Sequence, residues 1–348
     1  MIGLACKPTD TELSSNTTKQ ENTSHMKLKY LMVLAMICAL SVGLAACGSD
    51  DSDDSSSSSD STTGNLIESS SENEGVKLTI GSKNFTEQIV LGEIYAQGLE
   101  AAGYDVDTDL NLGSETVALQ ALKAGEISGY PEYVSTALTS FYDAAPEDVP
   151  TESNAAFDKV VTETEKDGIV ALPPTPFQSA NAVGLLTSKA EELGVESISD
   201  LEGKSQDLRL YGSPECRQRV DCLVGLEDNY GLDFKSFTPV LIDLRYEVLD
   251  KEQADLSIVF TTDAQLGVSD EYTILKDDKQ LLPAGNVVFL TDQKTIDEAG
   301  PDYEETIETV QSGLTEKVMQ ELDARVDIDK ETPEAVAADY LKSAGYTE

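Results

Sequence analysis

With 348 residues the chain is long enough for two domains, each with its own core. Its 65 acidic against 24 basic side chains give a formal charge of −41, which disfavours nucleic acid and other anionic partners through repulsion. The one histidine, His25, falls ahead of the expected mature chain, so Ser-His-Asp and Cys-His catalysis and the usual catalytic zinc sites are excluded. So acidic a surface suits a cationic or zwitterionic ligand, or serves solubility alone.

From Met26 the sequence reads MKLKYLMVLAMICALSVGLAAC, with a basic start, an apolar middle and a small-residue end. This predicts a secretory signal peptide over 26–46, too short for a transmembrane helix. Residues 1–25 do not suit the front of such a signal, and Met26 is the expected start. Leu44-Ala45-Ala46-Cys47 resembles the lipobox of bacterial lipoproteins. It implies a lipid on Cys47 and anchoring at the outer face of the cytoplasmic membrane, exposed at the cell surface. An acidic Ser/Asp run follows, and 47–75 is expected to be a disordered, self-repelling tether.

From Val76 the chain reads as globular. KLTIGS (77–82) alternates like a strand, and Thr86 is expected to cap a helix that Gly103 ends. A strand over 104–112, a helix over 114–123 and a strand over 127–130 follow, with a helix running on from Pro131. The β-α-β-α-β order predicts a mostly parallel sheet with helices on its faces. A helix over 155–167, strand GIVAL (168–172) and the loop PPTPF lead to SANAVGLLTS, which reads as a crossing into a second lobe.

That lobe has strands at 208–212, 237–242 and 255–260, with helices through 223–230 and from Leu244. YTILKD precedes LLPAGNVVFL (281–290), a return crossing, and helices at 303–312, 315–325 and 333–344 close the chain. The expected fold is α/β: a two-lobed, type II periplasmic-binding-protein-like clamshell hinged by two crossover strands. Lobe 1 comprises 76–180 and 284–348, and lobe 2 comprises 181–283. Ligands of such sheets bind beyond the carboxyl ends of the strands. GSKNFTEQ (81–88), NLGSE (111–115), GYPEY (129–133), YGSPE (211–215), DLRYE (243–247) and VFTTD (259–263) all fall there. Cys216 and Cys222 form an even pair outside the cytoplasm and read as a disulfide; without a histidine they make a poor zinc site, and no metal is expected.

IGSKNFTEQIVLGEIYAQGLE, LNLGSETVALQALKAGEISGYPEYVSTAL and LIDLRYEVLDKEQADLSIVFTTD resemble the OpuBC/OpuCC/ProX/OsmF-type substrate-binding proteins, which serve ABC transporters for glycine betaine, choline and carnitine. The similarity runs from about Val76 to Tyr346. It implies a quaternary ammonium head held by ring faces, with Tyr130 as one wall and Tyr246 as a second cage tyrosine. Phe260 stands where the family often has Tyr or Trp and is either wall or core; Tyr133 either faces the cleft or packs at the helix start. Arg219, and next Lys83, are the candidates for a ligand carboxylate. Asn84, Ser114 and Asn181 complete the candidate set.

Ser128, Asn181 and Phe260 depart from the family pattern, so ergothioneine or another betaine-like solute stays open as the ligand. The resemblance implies no cofactor and no catalysis, an ABC permease with its ATPase as partners, and a monomer. A sensory lipoprotein and a carboxylate-dependent hydrolase are the readings from other classes.

Overall fold

The alternating side chains of KLTIG form the first strand, β1 (Lys77–Gly81), with Leu78 and Ile80 turned into the core. The structure, a computed structural model, describes residues 66–348. The expected leader, signal peptide, lipid-bearing Cys47 and tether up to residue 65 lie outside the described residues. The tether expected through residue 75 ends sooner. The Ile67 N–H donates to the Tyr346 carbonyl (2.9 Å), and the buried Asn73 amide donates to the Ala102 carbonyl (2.8 Å) and to Asp302 (3.1 Å). These bonds fix 67–75 to the surface of the first lobe.

β2 (Asp105–Asp109), β3 (Gly129–Tyr133), β4 (Ile169–Ala171) and β5 (Gln178–Ser179) continue the first lobe. β6 (Asn181–Leu186), β7 (Arg209–Gly212), β8 (Ser236–Pro239), β9 (Leu256–Phe260) and β10 (Tyr272–Ile274) build the second, and β11 (Gly285–Asp292) returns to the first. The sheet orders are β2-β1-β3-β11-β4, with β5 also beside β11, and β10-β6-β9-β7-β8.

The expectation of mostly parallel sheets holds only in part. β2-β1-β3 and β8-β7-β9 are parallel, but β11 runs antiparallel to β3 and β4, and β6 antiparallel to β9 and β10. The antiparallel strands are those the chain enters from the other lobe, not through a helical crossover.

Helices Thr86–Ala101, Pro301–Gln311, Glu316–Asp327 and Pro333–Ser343 contribute to one core of the first lobe, with Leu91, Ile94, Tyr95, Phe289 and Tyr303. Helices Glu115–Ala124 and Ser153–Thr164 contribute to another, with Leu122, Tyr130, Val160 and Leu290. Phe289 and Leu290 enter different cores because neighbouring strand residues point to opposite faces. The second lobe likewise has one core around Leu210 and Leu226 and another around Tyr246, Leu249 and Val259.

Two local expectations are corrected. Thr86 does not cap the first helix: Phe85 holds that position and the Thr86 hydroxyl donates to Asp327. The helix expected from Pro131 begins at Val134, because β3 continues through Tyr133. β1 reaches only Gly129 of β3, so past that residue this edge has no ladder bond for a proline to break.

Candidate functional site

The chain crosses between sheets at Ala180, between β5 and β6, and returns through Leu282 and Pro283 into β11. A cavity of about 80 Å³ lies between the lobes at the carboxyl ends of β1, β3, β7 and β9. Lys83, Asn84, Ser114, Tyr133, Asn181, Arg219 and Phe260 all line it.

Tyr130 and Tyr246 do not, and their expected place as cage walls is corrected. In a strand, residues three apart face opposite ways. Tyr130 therefore points into the core beneath helix Glu115–Ala124, fully buried, while Tyr133 points to the other face and reaches the cavity. Tyr246 follows the turn Ile242–Leu244 and packs on the far side of the second sheet, its ring 4.8 Å from Tyr272 and its hydroxyl donating to Asp263 (2.9 Å). Its neighbour Arg245 lines the cavity instead.

The aromatic wall is made by Tyr133, Phe85 and Phe260. Phe85 stacks on Tyr133 (centroids 6.3 Å, planes 14° apart) and tilts against Phe260 (5.1 Å, 38°), which belongs to the other lobe. The three rings form one apolar surface bridging the lobes. Phe85, in SKNFTEQ at a strand end, is not singled out by the sequence reading, whereas Phe260 enters it through the family pattern. The Lys83 ammonium lies 4.5 Å from the Tyr133 ring centroid, and the Arg245 guanidinium 5.2 Å from that of Phe260.

The cavity cations are already partnered. Lys83 is buried against Glu132. Burial lifts the Glu132 carboxyl above its ordinary pKa and the lysine opposes that rise. Arg245 binds Asp263 through Nε (2.8 Å) and Nη2 (2.5 Å). Arg219 binds Asp221 through Nε (2.8 Å) and Nη2 (2.5 Å), and from Nη1 and Nη2 it reaches Glu115 (3.4 Å) and Thr136 (3.5 Å) of the first lobe. Burial works against the charge of both arginines, but their aspartates outweigh it and raise both pKa values.

The Arg219 turn is closed by a bond between Cys216 and Cys222 (Cα–Cα 5.2 Å), and Asn181 Nδ2 donates to the Asp221 carbonyl (3.2 Å). Asn84 and Ser114 meet through the adjoining backbone, the Asn84 N–H donating to the Gly113 carbonyl (3.1 Å). Burial, then Glu87, lifts the Tyr133 phenol well above its usual pKa, so it stays a donor to Glu87.

Glu115, Thr136, Asp221 and Arg245 also line the cavity and are not singled out in the sequence; Glu115 and Thr136 meet Arg219 only across the lobes, from 104 and 83 positions away. Among the described residues no cluster of His, Cys, Asp or Glu has metal-holding geometry. What the cavity offers is ring faces, fixed charges and two lobes that touch across it.

The substrate binding domain of the ABC-type glycine betaine transport system matches residues 76–343. The chain belongs to that family. A glycine-betaine-binding protein of Pseudomonas aeruginosa is 34% identical over 276 residues, which cover 76% of this chain and 87% of the relative. The ergothioneine transport permease/ergothioneine binding protein EgtU of Helicobacter pylori is 28% identical over 77% of this chain, which spans 48% of that protein. A crystal structure of a glycine betaine/carnitine/choline ABC transporter superposes with a TM-score of 0.62 at 25% identity, covering 78% of this chain and all of that one. This substrate-binding protein therefore has the two-lobed α/β architecture of its family, whose members bind small betaine-type ligands and work with an ABC permease.

Proposed function

We propose that this protein captures a small quaternary ammonium solute, of the glycine betaine, choline or carnitine kind, outside the membrane and delivers it to an ABC permease and its ATPase. The observation that carries this reading is the aromatic surface of Tyr133, Phe85 and Phe260 spanning both lobes. A trimethylammonium group has no N–H to donate, so ring faces hold it best. At about 0.5–2 kcal/mol per ring, three rings supply a large part of the roughly 8 kcal/mol of a micromolar complex. Bound solute touches both lobes and so favours the closed form.

The relationship to EgtU favours ergothioneine as a second reading. Cavity size argues for the smaller solutes. A single water needs about 10–15 Å³, so about 80 Å³ suits solutes of the glycine betaine, choline or carnitine size better than the larger ergothioneine. Calorimetry against glycine betaine, choline, carnitine, proline betaine and ergothioneine should show saturable heat for at least one of the first four and weaker binding of ergothioneine. Absence of binding by all four at millimolar concentration rejects the proposal.

The proposed site of action is the outer face of the cytoplasmic membrane, through a lipid on Cys47. Cys47→Ala is expected to move the protein from the detergent phase of a Triton X-114 partition into the aqueous phase. Equal partitioning of variant and wild type rejects the anchor.

A further inference from the structure

The electrostatics of the cavity carry the reading further. Lys83, Arg245 and Arg219 each have a carboxylate of their own in Glu132, Asp263 and Asp221. Of the two lining acids left over, Glu115 and Glu215, Glu115 is the buried one. It is nine-tenths buried, lines the cavity at the start of helix Glu115–Ala124, and among the described residues its side chain accepts one hydrogen bond, the 3.4 Å contact from Arg219 across the lobes. That contact is long for a charge-assisted bond, which usually measures about 2.7–2.9 Å. Arg219 has committed Nε and Nη2 to Asp221, so Nη1, the nitrogen that Glu115 covers, is the one left for an anionic ligand group. Glu215, half-buried on the same cavity, adds further negative charge.

We infer that Glu115 is a specificity-determining residue: its carboxylate occupies the face of Arg219 that a ligand carboxylate would need, and so ranks solutes carrying only the positive head above their carboxylated counterparts. The inference rests on the proposed quaternary ammonium site. A carboxylated solute must displace Glu115 and then sit beside both it and Asp221, which like-charge repulsion opposes in a site of low dielectric. A net cation leaves the Arg219–Glu115 contact in place and gains from the surplus charge.

The test measures dissociation constants for choline and glycine betaine with wild type and Glu115→Gln, each checked for folding by thermal melt. Wild type is expected to prefer choline, and Glu115→Gln to shift the ratio of the two constants towards glycine betaine by about tenfold, close to 1.4 kcal/mol. Should the glutamine variant fail to fold, Glu115→Asp draws the carboxylate back by one methylene and is expected to shift the ratio the same way by a smaller factor.

A general loss of stability would weaken both ligands together and leave the ratio alone. A ratio within twofold of wild type in a folded variant, or a wild type that prefers glycine betaine, overturns the role of Glu115 while leaving the aromatic site standing. Failure of wild type to bind either ligand, or carnitine or proline betaine, removes the underlying reading as well.

Discussion

Phe85→Leu is expected to weaken binding of a quaternary ammonium solute by at least tenfold, and Tyr133→Leu by a similar factor, whereas Tyr130→Phe changes it less than twofold. Phe85 is the ring that touches both others, at 6.3 Å from Tyr133 and 5.1 Å from Phe260. Its loss removes one cation–π face and frees its neighbours to turn away. Tenfold is about 1.4 kcal/mol, within the reach of one well-placed ring. Leucine keeps most of the side-chain volume, which matters because Phe85 is also packed against the first-lobe core and an alanine there would leave a void.

Tyr130, by contrast, contacts the cavity only at second hand. Its hydroxyl lies 3.3 Å from Glu132, which keeps Lys83 and the Tyr133 N–H (2.8 Å) when that hydroxyl is removed. Calorimetry and thermal melts on the same preparations separate affinity from folding. Wild-type affinity in Phe85→Leu together with a large loss in Tyr130→Phe would place the cage elsewhere.

The sequence carried the position of the site better than its composition. Strand ends can be read from short runs such as the alternating KLTIG and the largely apolar LSIVF, and the cavity forms where those runs stop. Which aromatic faces it depends on parity, and parity depends on where a strand ends. A proline after Tyr130 suggests a helix start, yet β3 runs three residues further and hands the cavity to Tyr133. In LRY one residue of rotation decides that the arginine, not the tyrosine, enters the cavity. Arg219 has its main partner, Asp221, only two positions on, but Lys83 pairs with Glu132 and Arg219 also reaches Glu115, 49 and 104 positions away, and no local pattern reports those contacts. That pairing changes the chemistry of the site most.

Arg245→Met is expected to lower the stability of the ligand-free protein by about 3–5 kcal/mol, the usual cost of stripping one partner from a buried ion pair. Arg245 and Asp263 are both almost wholly buried, and the arginine also faces Asp323 and Asp327 of helix Glu316–Asp327, while Glu87 of the first helix faces Asp263 and Asp323. Lys83, Thr262 and the Tyr133 hydroxyl are the other polar groups on Glu87, and Thr86 donates to Asp327. Oδ1 of Asp323 and Oε2 of Glu87 are buried with no hydrogen-bond partner among the described residues.

Burial above all, then the neighbouring acids, raises the carboxyls of Asp323 and Glu87, and Asp327 is raised by burial as well. Such groups hold protons in the folded state that they release on unfolding, so their contribution is fully present below about pH 4, the unfolded carboxylate value. It is lost as pH climbs through their raised folded values. Asp200, Asp255 and Glu331, whose carboxyls are lowered by hydrogen bonds and ion pairs, act in the opposite sense and lose their contribution in acid. The wild-type profile is the sum of both kinds.

Asp323→Asn isolates the first kind, because asparagine imitates the protonated acid at every pH. Its melting temperature should match wild type near pH 4 and exceed it by a margin that widens towards pH 8. A margin that stays constant over that range would mean that Asp323 is ionised in the folded protein throughout, with Arg245 shared among the four acids in place of being held by Asp263.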